Sequence, residues 1–180
     1  MSRNKGAAVK LIRYVVFVLI ILFAGFFAAH FIVQRTVVHG GSMQPTLYDG
    51  DNLIIDRVSY ASHDPKRYDI VVFSFGNAQG TYYIKRLIGL PGETVQITDD
   101  GDILINGQVL NEHYGNAVIT DPGLASYEIR LGSGEYFVLG DNRNHSEDSR
   151  FADVGIVKRE QIMGKAVFRF FPFTRIGRIR

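Results

Sequence analysis

The sequence predicts a mostly β fold: an antiparallel β-sheet body with an inserted hairpin cap, preceded by one transmembrane helix. Three observations carry this. Tyr14 to Val33 run for twenty positions without a formal charge. Beyond them, apolar residues fall into short runs rich in β-branched and aromatic side chains, bounded by Gly, Asp, Asn or Pro. Helical periodicity after the span is weak, with one short turn starting near Pro45. At 180 residues the chain suits one domain with a real core and is too short for two ordinary ones; 46% hydrophobic residues exclude a disordered tail.

The first element is the apolar run. At ~1.5 Å per residue it spans roughly 30 Å, the hydrocarbon thickness of a bilayer. Arg3, Lys5, Lys10 and Arg13 precede it, and only Arg35 follows closely. The positive-inside bias therefore predicts a basic cytoplasmic N-terminus over 1–13, a transmembrane anchor over 14–33 and an extracytoplasmic domain over 36–180. Ala28 and Ala29 offer the small residues of a cleaved secretory signal, but such signals have a core of only about 7–15 apolar residues. Either reading places the body outside the cytoplasm. A buried core helix fits less well, because the run is apolar on every face.

Residues 1–35 carry a charge of +5 and the remainder −3, so the body is mildly acidic and a poor footprint for nucleic acid. The chain has no cysteine, which excludes a cysteine nucleophile, a zinc site built on Cys, and disulfide support for the exported body.

The strands follow in order. Asn52–Val58, Ile70–Phe75, Tyr82–Leu90, Tyr136–Leu139 and Lys165–Phe171 each read as a strand, the last stopped by Pro172. Ile103–Leu110 holds Asn106-Gly107 between two apolar runs, a strong hairpin signal. The strands are expected to close into a small sandwich or barrel. The turn-rich stretch 93–135 contains no candidate catalytic residue and reads as a cap inserted between two halves of the core.

Three segments offer chemistry. In Gly40-Gly41-Ser42, two glycines let the backbone approach a ligand and turn its N–H groups toward a developing oxyanion. On the strand Tyr82–Leu90, alternation puts Tyr83, Lys85 and Leu87 on one face and Ile84, Arg86 and Ile88 on the other. One of the two basic residues must then point toward a more buried side. A lysine desolvated there loses affinity for its proton and can accept one from a serine hydroxyl; a Lys85 facing solvent cannot. Spacing does not decide between these. The third segment, Gly140 to Arg150, follows an apolar strand with eleven polar or small residues. It reads either as a surface loop of Asx turns or as a buried polar network.

Taken together, the motifs resemble one family. Ser42-Met43-x-Pro45-Thr46-Leu47, Tyr48-x-Gly50-Asp51, Tyr83-Ile84-Lys85-Arg86 running into Gly89-x-Pro91-Gly92-Glu93, and Gly140-Asp141-Asn142-Arg143-x-x-Ser146-x-Asp148-Ser149-Arg150 occur in the order found in the type I signal peptidases, from Arg35 to Gly164. With Gly40 two residues before Ser42, the resemblance is to members like those of Gram-positive bacteria. It implies a Ser–Lys dyad endopeptidase that removes signal peptides from exported precursors at a membrane, with no metal or cofactor. Carried over by position, Ser42 is the nucleophile and Lys85 its general base. Ser146 hydrogen-bonds the lysine amine, Asp148 and Arg150 form a supporting ion pair, and Asp141 and Arg143 shape the same loop. Met43 packs beside the substrate groove. Where some members place an oxyanion-binding serine two residues before the nucleophile, this chain has Gly40; the oxyanion would rest on the Ser42 N–H, with Gly40 presenting backbone.

Rival readings are separable. His145, Asp148 and the nearby serines invite a Ser-His-Asp triad. Self-cleaving repressor proteases share the Ser–Lys chemistry but have a DNA-binding domain where this chain has its apolar run. A non-enzymatic, membrane-tethered assembly or binding module would not need Ser42 and Lys85. Between Lys158 and Arg180, seven Lys/Arg residues interleave with Phe168, Phe170, Phe171 and Phe173. This segment reads as a core strand with a solvated basic tail, or as a patch resting on anionic lipid.

Overall fold

The computed structural model describes residues 3–76 and 80–179. Two compact units are distinguished, Met1–Gln34 and Arg35–Arg180. The first is helix α1, Arg3–Ile32. Its described side chains, 9–23 and 25, are exposed. Among the described residues no helix is long and apolar enough to cross a membrane. The far end of the expected span, 26–33, lies outside the described side chains.

The second unit is mostly antiparallel β structure. The apolar runs become β2 (Asn52–Asp56), β3 (Ile70–Ser74), β4 (Tyr82–Gly89), β9 (Glu135–Leu139) and β11 (Ile162–Phe171). A single-turn helix α2 (Ser59–Ser62) joins β2 to the loop before β3. Strand β1 (Val33–Val37) starts where the expected span ends, and β10 (Val157–Lys158) and β12 (Gly177–Arg178) are two-residue edge pieces. These build an eight-stranded sheet in the order β1-β2-β11-β3-β4-β9-β10, with β12 also paired to β11. The order runs open from β1 to β10, so among the described residues these strands form an open sheet and not the barrel that stood beside the sandwich as an expectation.

A second, four-stranded sheet has the order β7-β6-β5-β8, from β5 (Thr94–Ile97), β6 (Ile103–Ile105), β7 (Gln108–Val109) and β8 (Ile129–Arg130). Asn106 and Gly107, both with positive φ (51° and 74°), make the β6–β7 hairpin turn, as an Asn-Gly pair allows. Val95, Ile97, Ile103 and Ile105 of this sheet share a core with Ile88, Phe137 and Leu139 at the ends of β4 and β9.

Two further cores flank the large sheet. Val71, Phe73, Leu87, Tyr136 and Val138 pack with Tyr60 of α2. Val38, Met43, Leu47, Leu53, Ile55, Ile70 and Val72 form the other, under the loop that carries Ser42. Both faces of strand β4 are covered, Leu87 packing into one core and Ile88 into another: Lys85 is 4% exposed and Arg86 0%. One of the two basic residues was expected to turn toward a buried side, and both do.

Candidate active site

The segment from Ser42 to Thr46 is a run of turns between β1 and β2. It is pinned at three points. Gly40 (φ +84°) donates its N–H to Asp49 Oδ1 at 2.8 Å. Thr46 Oγ1 donates to Asp141 Oδ2 at 2.5 Å. Beyond it, buried Asp51 takes Arg169 at 2.9 Å and Arg175 at 2.8 Å, and Arg169 also donates to the Thr46 carbonyl at 3.0 Å. Arg175 is thus a structural cation, which corrects its place in a free basic tail; Phe173 beside it is 76% exposed.

Ser42 meets Lys85. The Nζ of Lys85 lies 2.7 Å from Ser42 Oγ, and 5.2 Å from the centroid of the Tyr83 ring. Burial pushes the Lys85 amine down to about 8 from its ordinary 10.5; Asp148, Glu147 and Asp141 oppose that shift without cancelling it. An amine in this state is neutral for a useful fraction of the time near neutral pH. A cavity of about 990 Å³ opens over the pair, walled by the chain from Thr36 to Met43 and by the first half of β4. His145 lines the same cavity as an exposed side chain, while the contact to Ser42 is made by Lys85. The arrangement is that of a Ser–Lys pair.

The loop from Gly140 to Arg150 is a buried polar network. Arg150 grips Asp148 in a two-pronged pair, Nε to Oδ1 at 2.8 Å and Nη2 to Oδ2 at 3.0 Å, and also donates to the carbonyls of Arg143 and Asp121. Asp148 in turn accepts the Gly140 N–H at 3.0 Å. Arg143 pairs with Glu112 at 2.6 Å and donates Nε–H to the Gly140 carbonyl at 3.1 Å. Asp141 does not pair with Arg143. Its partner is Arg86, with Nε at 2.8 Å and Nη2 at 2.7 Å, and the guanidinium also lies 3.7 Å over the Tyr114 ring.

Two expectations, for Ser146 and for Gly40, are corrected here. Ser146 lines the cavity, but its Oγ is buried with no hydrogen-bond partner among the described residues, so the bond expected to the Lys85 amine is not formed. Its neighbour explains part of the crowding: a Cβ on Gly140 would stand 2.2 Å from Ser146 Oγ and 2.5 Å from the Ser42 carbonyl oxygen, so the two loops meet at a glycine. Met43 borders the cavity yet is 1% exposed and packs into the core with Leu47 and Ile55. It is a floor under the cavity. Gly40 cannot lend its N–H to an oxyanion while that N–H is bound to Asp49.

Sequence reasoning missed Arg86, Glu112 and Asn116. Arg86 was visible as a charge inside an apolar strand. Glu112 and Asn116 sit in a turn-rich stretch with no pattern to distinguish them, yet they hold the catalytic-side loop. Among the described residues, no group of His, Cys, Asp and Glu is arranged to hold a metal ion.

The family described as signal peptidase, peptidase S26, matches residues 11–171. Signal peptidase I of Leptolyngbya laminosa is 41% identical over 156 residues, covering 83% of this chain and 74% of that one. Signal peptidase I T of Bacillus subtilis (strain 168) is 38% identical over 158 residues, 82% of this chain and 78% of that one. Among solved structures, a signal peptidase I from Enterococcus faecalis V583 is 36% identical, with a TM-score of 0.45 over 57% of this chain and 97% of that chain. A family match over most of the length, with relatives this similar across more than four fifths of the sequence, makes the protein an enzyme of the type I signal peptidase family.

Proposed function

We propose that the chain is a membrane-bound serine endopeptidase that removes N-terminal signal peptides from exported precursors through a Ser42–Lys85 dyad. The observation that carries this is the 2.7 Å contact between Lys85 Nζ and Ser42 Oγ at the edge of the cavity. Burial keeps the amine basic enough to take a proton and weakly basic enough to be free of one. Neutral Lys85 accepts the Ser42 proton as Oγ attacks the scissile carbonyl. The Ser42 N–H receives the oxyanion. As the tetrahedral intermediate collapses, the Lys85 ammonium gives its proton to the leaving amine. An acyl-enzyme remains, and Lys85 then activates the water that releases the signal peptide.

The precursor lies extended between the chain after β1 and the start of β4, where exposed backbone can pair with it as an added strand. Small side chains at the first and third positions before the cut enter shallow apolar pockets. Asp148–Arg150, Asp141 and Arg143 hold the loop beside the dyad. The cap spans about 93–135. Residues 14–33 anchor the enzyme, with 1–13 in the cytoplasm and 36–180 outside; the charge asymmetry around the apolar run supports this topology. Membrane lipid is thus a second partner.

The test is incubation of a purified precursor with the full chain in detergent micelles, followed by mapping of the new N-terminus. Wild type should yield one new terminus after a signal peptide, and Ser42→Ala and Lys85→Ala none. Cleavage by either variant at the wild-type rate overturns the dyad.

A further inference from the structure

Both peptide groups that flank Ser42 are held by one residue outside the dyad. Asn142 donates Nδ2–H to the Gly41 carbonyl at 3.0 Å and its backbone N–H to the Ser42 carbonyl at 3.0 Å. Its other side-chain atom, Oδ1, accepts from Asn116 Nδ2 at 2.9 Å. Asn116 is itself fixed: its N–H goes to the Asp141 carbonyl at 3.0 Å, and its Oδ1 takes the Arg143 N–H at 3.2 Å. The Asn142 amide therefore has one satisfactory orientation, nitrogen toward Gly41 and oxygen toward Asn116.

We propose that Asn142 is a positioning residue for the reaction: it clamps the carbonyls on either side of Ser42 and so aims the Ser42 N–H into the cleft. The proposal rests on Ser42 being the nucleophile. The Gly41–Ser42 peptide is trans, so the Gly41 carbonyl and the Ser42 N–H share a plane and point in opposite directions. Holding the carbonyl against Asn142 turns the N–H away from it. Holding the Ser42 carbonyl as well fixes the rotation of the serine backbone, and with it the direction from which Oγ attacks. Two consecutive glycines precede Ser42 and supply no side chains to restrain this stretch, so the restraint has to come from outside. Gln44 N–H also reaches the Gly41 carbonyl, at 3.1 Å, so removing the Asn142 side chain loosens the clamp and does not abolish it. With the Gly40 N–H bound to Asp49, the alignment of the Ser42 N–H matters all the more.

The experiment compares wild type, Asn142→Ala, Asn116→Ala and Ser42→Ala, each as the full chain in micelles. Readouts are steady-state cleavage of a precursor peptide, and affinity for two peptides of the same sequence ending in an aldehyde or in an amide. Ser42 adds to the aldehyde: the Oγ–C bond forms, the carbonyl π bond breaks, and the serine proton ends on the former carbonyl oxygen. Only this adduct presents a tetrahedral oxygen to the Ser42 N–H. The expected result for Asn142→Ala is a kcat lowered by about 10–100-fold, below the loss of a whole oxyanion donor. KM should stay within about twofold, because binding along the walls does not use this N–H. Aldehyde affinity should fall in parallel with kcat, amide affinity should hold, and the midpoint of the pH–rate profile should not move. Asn116→Ala, which keeps Asn142 in place, should show the same pattern more weakly. A wild-type kcat in Asn142→Ala, a loss carried by KM, equal losses of aldehyde and amide affinity, or a displaced pH midpoint would each overturn the proposal while a dead Ser42→Ala leaves the dyad standing. Cleavage by Ser42→Ala overturns the dyad and this proposal together.

Discussion

Arg86 and Asp141 form a two-pronged ion pair, at 2.8 and 2.7 Å, in which neither side chain has any solvent exposure. The guanidinium also donates to the Tyr68 carbonyl, and the carboxylate also accepts Thr46 Oγ1, so one pair links β4, the loop after β9 and the nucleophile segment. Removing one member leaves the other buried and uncompensated. Asp141→Ala should therefore cost about 3–5 kcal/mol in urea unfolding. An Arg86→Met/Asp141→Leu double variant should recover much of that loss, because the apolar pair leaves no orphan charge. A double variant no more stable than Asp141→Ala would count against the pair as the cause.

The dyad makes a definite demand on pH. As the proposed general base Lys85 works only when neutral, and burial brings its amine down to about 8. Below that value the neutral fraction falls about tenfold per pH unit. The logarithm of kcat/KM for a peptide substrate should thus rise with unit slope up to about pH 8 and flatten above it. Lys85→Arg keeps its charge throughout this range and should show no cleavage at any pH up to 10. Activity that declines as pH rises from 6 to 8 would contradict the assignment.

The same burial has an opposite effect on stability. Below pH 8, Lys85 is charged in both the folded and the unfolded chain, and the folded chain bears the desolvation cost. Between about 8 and 10.5 the folded form loses its proton first, so stability rises with pH across that window. Lys85→Met lacks this cost. It should exceed wild type by about 1–3 kcal/mol in urea unfolding at pH 6.5, with the advantage shrinking toward pH 10. An advantage independent of pH would point to packing instead.

Gly140 is the point where the polar loop and the nucleophile segment touch. Gly140→Ala puts a methyl 2.5 Å from the Ser42 carbonyl oxygen, a main-chain atom that no rotamer change can move. Cleavage should fall by about 10²-fold or more, the order lost when an oxyanion donor is misplaced. Adding Ser146→Ala removes only the hydroxyl clash and should not restore the rate. Recovery in the double variant would mean that Ser146, not Ser42, bears the strain.

The long strands were legible because alternation, β-branching and turn residues agree within each, and Asn106-Gly107 announced its hairpin. Strand β1 was hidden because Val33 reads as the end of an apolar run. Two-residue strands such as β8, β10 and β12 are too short to show any period and exist only through their partners. The site was legible by motif order, not by spacing: Ser42 and Lys85 are 43 positions apart. The Asp148–Arg150 pair was legible through the motif, but the partners that other segments supply to this loop were not. Arg86 was visible as a charge in an apolar strand, but its partner Asp141, 55 positions away, was not. Asn116 and Glu112 look like any polar residues of a loop, because what they hold lies more than 25 residues downstream.

Strand β4 carries an amine and a guanidinium at adjacent positions, and adjacent positions on a strand face opposite ways. Lys85 sits across from Val71, while Arg86 sits across from Ile70 on one side and Leu139 on the other. If β4 slid by one residue against these neighbours, the two charges would exchange faces. A slide in one direction would put Arg86, a cation that never releases its proton, where Ser42 needs an acceptor; a slide in the other would put the Lys85 amine against Asp141. Sliding by two would restore the faces and strand both charges away from their partners. Catalysis by the proposed dyad is therefore a parity check on folding: a chain that cleaves through Ser42 and Lys85 has its central strand in register.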